Sequence, residues 1–123
     1  MEKKFYRCEV CGRLIDVVKD GGPLTCCGQS MTLLKANTSD GATEKHVPAI
    51  TREGNEVTVT IGSVEHPMIP EHYIEMIQVV QGDREWRVML HPGQKPTAKF
   101  TVEDGPIAVY EYCNLHGLWV AMG

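Results

Sequence analysis

Apolar and polar residues alternate over short runs along this chain, and turn formers separate the runs at close intervals. Glu56-Val57-Thr58-Val59-Thr60-Ile61-Gly62 is the clearest case: every second side chain is apolar, the period of a strand with one face on a core. Residues 73–80 form a longer strand, Gln81-Gly82-Asp83 reads as a hairpin turn, and 86–90 is the returning strand. Residues 98–102, 107–113 and 118–122 supply three more, and nearer the N-terminus 14–18 and 31–34 read as short strands. No stretch makes a convincing helix. The pattern predicts an all-β protein whose larger part is a sandwich.

Residues 36–43, polar and rich in turn formers, mark a boundary between modules at 1–36 and 37–123. The 123 residues allow one domain or two very small ones. A module of 36 residues cannot bury enough apolar surface to hold itself together, so a staple is expected there. The formal net charge of −4 gives no support for a nucleic-acid partner. Residues 37–123 carry six Lys/Arg against twelve Asp/Glu, so an anion that reaches this module must be drawn by a local feature. No apolar run is long enough for a membrane span, and Met1-Glu2-Lys3-Lys4-Phe5 lacks the apolar core of a signal peptide. These features lead us to expect a cytoplasmic protein.

Five cysteines, an odd number in a reducing compartment, argue against a disulfide framework and for metal ligation. Cys8-Glu9-Val10-Cys11-Gly12 is a metal knuckle, and Cys26-Cys27-Gly28 completes a set of four thiols. Zinc and iron both accept four tetrahedral sulfurs. The second pair is adjacent, and the divergence of neighbouring Cβ atoms should strain the tetrahedron. This arrangement resembles desulforedoxin, whose iron is held by four cysteine thiolates; the alternative is a zinc ribbon of unusual spacing.

The second module holds Cys113 and five histidines, His46, His66, His72, His91 and His116. His66-Pro67-Met68-Ile69-Pro70-Glu71-His72 puts two imidazoles on one loop, where Pro70 disfavours a helix. Cys113-Asn114-Leu115-His116 lets one short loop bring a thiolate and an imidazole to a single metal. Any one of these histidines alone is unremarkable on a protein surface, but four at strand ends beside a thiol point to a metal. His91 sits in its own Pro/Gly turn, and the residues alone do not decide whether it belongs.

Glu44-Lys45-His46-Val47-Pro48, His66-Pro67-Met68, His72-Tyr73-Ile74 and Glu111-Tyr112-Cys113-Asn114-Leu115-His116-Gly117 together resemble the desulfoferrodoxin family, the two-iron class of superoxide reductase. The resemblance covers essentially the whole chain. It implies an immunoglobulin-like sandwich for 37–123, a homodimer, and two irons. One iron would be held by Cys8, Cys11, Cys26 and Cys27. The other would be a ferrous centre with equatorial His46, His66, His72 and His116, axial Cys113 and an open sixth site. Superoxide would be the substrate and a rubredoxin-type protein an electron donor. Lys45 would steer superoxide, and Glu44 would occupy the sixth site of the oxidised iron. Glu111 neighbours the thiolate loop and could tune it. The backbone N–H groups of Asn114, Leu115 and His116 are expected near the Cys113 sulfur. Two rival readings are a blue-copper site built on Cys113, His116 and Met122, and a non-catalytic zinc module with incidental histidines. The first leaves too many histidines unused, since such sites need two.

Overall fold

The computed structural model describes residues 3–39, 46–62 and 66–123, all of them strand, turn or loop, with no helix. The chain divides into two compact units, Glu2–Lys35 and Ala36–Gly123.

The first unit is a set of very short strands: β1 (Phe5–Arg7), β2 (Leu14–Asp16), β3 (Thr25–Cys26), β4 (Gln29–Ser30) and β5 (Thr32–Leu33). β1 lies between β2 and β5, and β3 pairs with β4 as a separate hairpin. The strands expected at 14–18 and 31–34 are present but trimmed to three and two residues. β1, β3 and β4 were not anticipated, because two or three residues cannot display an alternating pattern. Among the described residues of this unit only Phe5, Cys8 and Met31 are buried hydrophobics. That is too little apolar burial to hold a fold of this length without another linkage.

The second unit comprises β6 (Pro48–Glu53), β7 (Glu56–Ile61), β8 (Ile74–Gln81), β9 (Arg84–Met89), β10 (Thr97–Thr101), β11 (Ala108–Cys113) and β12 (Gly117–Met122). They form a three-stranded sheet, β10-β7-β6, and a four-stranded sheet, β12-β11-β8-β9. The all-β, immunoglobulin-like sandwich expected from the sequence is therefore what the chain adopts, with the three-plus-four strand count of that architecture. Alternation along β7 turns Val57, Val59 and Ile61 inward, each with no exposure, against Ile77, Val79 and Val109 of the other sheet. β6 escaped the sequence reading because it is an edge strand with a weakly apolar pattern, and Pro48 opens it where a missing N–H does least harm.

Two features aim the chain at a site. Pro48 pairs with Ile61, so the start of β6 and the end of β7 lie at one end of the first sheet. Cys113 pairs with both Ile74 and Gly117, so the start of β8, the end of β11 and the start of β12 lie together in the second. The register of β8 and β11 shifts between Tyr112 and Cys113, leaving Glu75 as an extra residue on β8. Such a bulge bends a strand and re-aims the side chains beside it.

Candidate metal centres

In the first unit the sulfurs of Cys8, Cys11, Cys26 and Cys27 all lie within 4.8 Å of one another. The Cys11 and Cys26 sulfurs are 3.6 Å apart, and those of Cys26 and Cys27 are 3.9 Å apart. A tetrahedron with metal–sulfur bonds of about 2.3 Å has edges of about 3.8 Å, so this spacing accepts a metal. The strain expected from two adjacent ligands is taken up by the backbone. Cys26 pairs with Gln29, and the two residues between them, Cys27 at φ 53° and Gly28 at φ 74°, form a hairpin turn with both central residues left-handed. For a residue with a Cβ that conformation costs about 1–2 kcal/mol. It swings the Cys27 sulfur back beside that of Cys26. Reading Cys26-Cys27 only as a ligand pair overlooked that Gly28 readily supplies one of the two left-handed residues of such a turn.

The thiols perturb one another. The Cys11 amide donates to the Cys8 sulfur at 3.5 Å, and hydrogen bonding to that backbone lowers the Cys8 pKa to about 6. Hydrogen bonds with Cys8 and Cys11 push Cys26 up to about 12. Four thiolates this close cannot all ionise without a cation among them, which is what a bound metal supplies.

In the second unit the donor atoms of His46, His66, His72, Cys113 and His116 likewise lie within 4.8 Å of one another. The first sheet delivers His46, just before β6, and the loop between β7 and β8 carries His66. The second sheet delivers His72, just before β8, Cys113 at the end of β11, and His116 in the β11–β12 turn. His46, His66 and Cys113 are buried, His72 is half-buried and His116 is exposed. Gly117 closes the turn at φ 83°, a left-handed conformation that a side chain would resist.

The four rings form a closed circuit. Centroids are 4.6 Å apart for His46 and His66, 4.8 Å for His66 and His72, 5.0 Å for His72 and His116, and 4.9 Å for His116 and His46. Each ring stands at 70–79° to its neighbours, a pinwheel about a common point. His46 Nε2 and His66 Nε2 face each other at 2.9 Å, where two metal–nitrogen bonds of about 2.1 Å at right angles would set them about 3.0 Å apart. The Cys113 sulfur lies 3.7 Å from His66 Nε2 and 3.9 Å from His116 Nδ1. Cys113 has no exposure, so its thiolate form needs a cation to offset the loss of water. Thiol and imidazoles thus suit a divalent transition metal.

Neighbouring groups set the rings. His66 Nδ1 lies 2.7 Å from the Pro67 carbonyl, a bond that would hold the proton there and leave Nε2 free to donate its lone pair. Trp119 stacks on His46 at 4.7 Å and 14°, and its indole N–H donates to the His116 carbonyl at 3.1 Å. The sequence reading missed Trp119, since its stacking on His46 joins residues 73 positions apart, one on β12 and one just before β6. The Asn114 amide donates to the Tyr73 carbonyl at 3.3 Å. Glu111 is fully buried, on the core side of β11 opposite Ile77 and Trp119. His91 is exposed and outside the cluster, and Glu44 and Lys45 lie outside the described residues.

Comparison with known proteins matches this two-centre arrangement along its length. Residues 1–34 match the desulfoferrodoxin N-terminal domain and residues 38–122 match desulfoferrodoxin itself. A desulfoferrodoxin homolog from Archaeoglobus fulgidus is 50% identical over 117 residues, covering 94% of each chain. The crystal structure of the superoxide reductase from Treponema pallidum aligns with a TM-score of 0.79 at 29% identity, covering 98% of each chain. A one-iron superoxide reductase from Giardia intestinalis aligns at 0.59 and 33% identity, covering 66% of this chain and 98% of its own. Four clustered thiols, a five-donor pinwheel and matches that run from residue 1 to residue 122 lead to one conclusion: the chain belongs to the desulfoferrodoxin family.

Proposed function

We propose that this protein is a superoxide reductase with two working parts. Residues 1–36 form a desulforedoxin-like domain whose Cys8, Cys11, Cys26 and Cys27 hold one iron. Residues 37–123 hold the reactive iron through His46, His66, His72, His116 and Cys113. The single observation that carries the reading is the closed circuit of four edge-on imidazoles with the Cys113 sulfur beside it. Iron held there supplies one electron, which with two protons from solvent converts superoxide to hydrogen peroxide, and an outside donor then restores the electron, so no oxygen is released.

The chain's own residues provide the rest. Four neutral imidazoles and one thiolate leave a ferrous ion with a net charge of about +1, enough to attract a small anion. The Cys113 thiolate pushes electron density toward the metal, as cysteine does in thiolate-ligated haem. Stacking on Trp119 holds the His46 ring, and the Pro67 carbonyl holds that of His66. Lys45 would steer superoxide toward an otherwise acidic module, and Glu44 would supply a carboxylate ligand once the metal has given up its electron. A rubredoxin-type protein is the donor, the protein works as a homodimer, and thiolate chemistry of this kind suits the reducing cytoplasm.

Metal analysis with pulse radiolysis tests the proposal. The expected result is two irons per chain, second-order consumption of superoxide, and peroxide without oxygen. One copper, or a colourless zinc protein, refutes it. Lys45→Ile should lower the bimolecular rate about tenfold and flatten its salt dependence, since steering is screened by ions. An unchanged rate and salt slope would remove Lys45 from the capture step.

A further inference from the structure

The loops carrying His72 and Cys113 come from distant parts of the chain, and both donors can face one point only if the loops keep a common register. β8 and β11 end their pairing at Ile74 and Cys113, just past the bulge. One residue further on, the Asn114 N–H donates to the Tyr73 carbonyl at 3.3 Å, and the Tyr73 N–H donates to Asn114 Oδ1 at 2.9 Å. In an ordinary antiparallel pair that second bond would run to a main-chain carbonyl. Here the main chain is turning away toward His116, and the side-chain amide stands in for it. Asn114 Nδ2 also donates to the Glu71 carbonyl at 3.0 Å. One side chain therefore grips the residues on both sides of His72 while its own backbone follows directly on Cys113.

We infer that Asn114 is a positioning residue for the reactive metal centre: it sets the His72 ring against the Cys113 sulfur and so fixes the electronic character of the metal they share. The inference rests on the proposed ligation by His72 and Cys113. The position demands an amide of this length, which accepts from one N–H and donates to one carbonyl at once. Aspartate keeps the acceptor for Tyr73 but turns an oxygen toward the Glu71 carbonyl. Alanine removes both bonds. The rest of the loop has its own supports: Ile69 and His72 exchange backbone bonds at 3.0 and 3.1 Å, and the Gly93 N–H donates to the Met68 carbonyl at 2.8 Å. Loss of Asn114 should therefore tilt His72 without unfolding its loop.

The test uses the full chain loaded with iron, comparing Asn114→Ala and Asn114→Asp with the parent. The measurements are iron affinity at the five-donor centre, the ferric EPR spectrum, its midpoint potential, and hydrogen exchange at the Tyr73 amide. Asn114→Ala should weaken iron binding about 10- to 100-fold, the usual cost of losing a group that orients a ligand. It should also shift the EPR lines and the potential, and speed exchange at Tyr73. Asn114→Asp should fall between the two, and the visible spectrum of the four-thiolate iron should not change in either variant. If the alanine variant fails to fold, the aspartate variant carries the test, since it keeps the shape of the side chain. Parent-like spectra, potential and affinity in the aspartate variant, or in both, overturn the positioning role alone. A parent protein that binds no metal at these five donors overturns the proposed ligation, and the inference with it.

Discussion

Replacing Cys113 with serine should leave a folded protein whose reactive centre is dead. The substitution changes one buried atom at the end of β11, inside a core that Val57, Val59, Ile77 and Val109 hold together without it. The sandwich should therefore survive, and far-ultraviolet circular dichroism should match the parent. A serine hydroxyl stays protonated near neutral pH and gives a metal far less charge than a thiolate does. Sulfur-to-iron charge-transfer absorption from this centre should vanish. Superoxide reduction should fall by more than the roughly 10–100-fold that the loss of an outer group costs, because a direct donor is lost. Superoxide reductase activity retained in this variant would show that the thiolate is not the group driving the electron.

The second large effect should be structural and local. Cys11→Ser, or removal of the four-thiolate metal by a chelator, should melt the Glu2–Lys35 unit, whose described residues include only three buried hydrophobics. Small metallo-domains of this kind fold as they bind, with apparent metal binding of about 10–16 kcal/mol in zinc-finger peptides. Amide protection around Phe5 and Met31 should disappear, while protection at Val59 and Ile77 stays. The rate of superoxide reduction should stay at the parent value, because the five-donor centre draws no ligand from the first unit. A Cys11→Ser protein with an intact sandwich that no longer reduces superoxide would tie the two centres into one catalytic unit.

What the sequence disclosed followed from how local each signal was. The alternation in β7 is carried by adjacent residues, so it could be read directly. The donors were equally visible, because cysteine and histidine declare their chemistry by type and Cys113-x-x-His116 by spacing. β1, β3 and β4 were invisible because they are stabilised by cross-strand pairing and by the thiol cluster, not by any pattern of their own. The conformation of Cys27 was foreseen only as strain, and the left-handed hairpin turn shows where that strain is lodged. The supports were out of reach for a different reason. Asn114 meets Glu71 and Tyr73 only in a register displaced by the bulge, and Trp119 meets His46 from a strand far away in the sequence. Contacts of that kind belong to the topology of the sheets.

His46 precedes β6 in one layer of the sandwich, whereas His72, Cys113 and His116 sit at strand ends of the other, and His66 lies on the loop between β7 and β8. Any sliding of the layers would open one side of the pinwheel and pinch the other. Val59 and Ile77, both fully buried between the layers, thus act as a caliper for the spacing of the five donors.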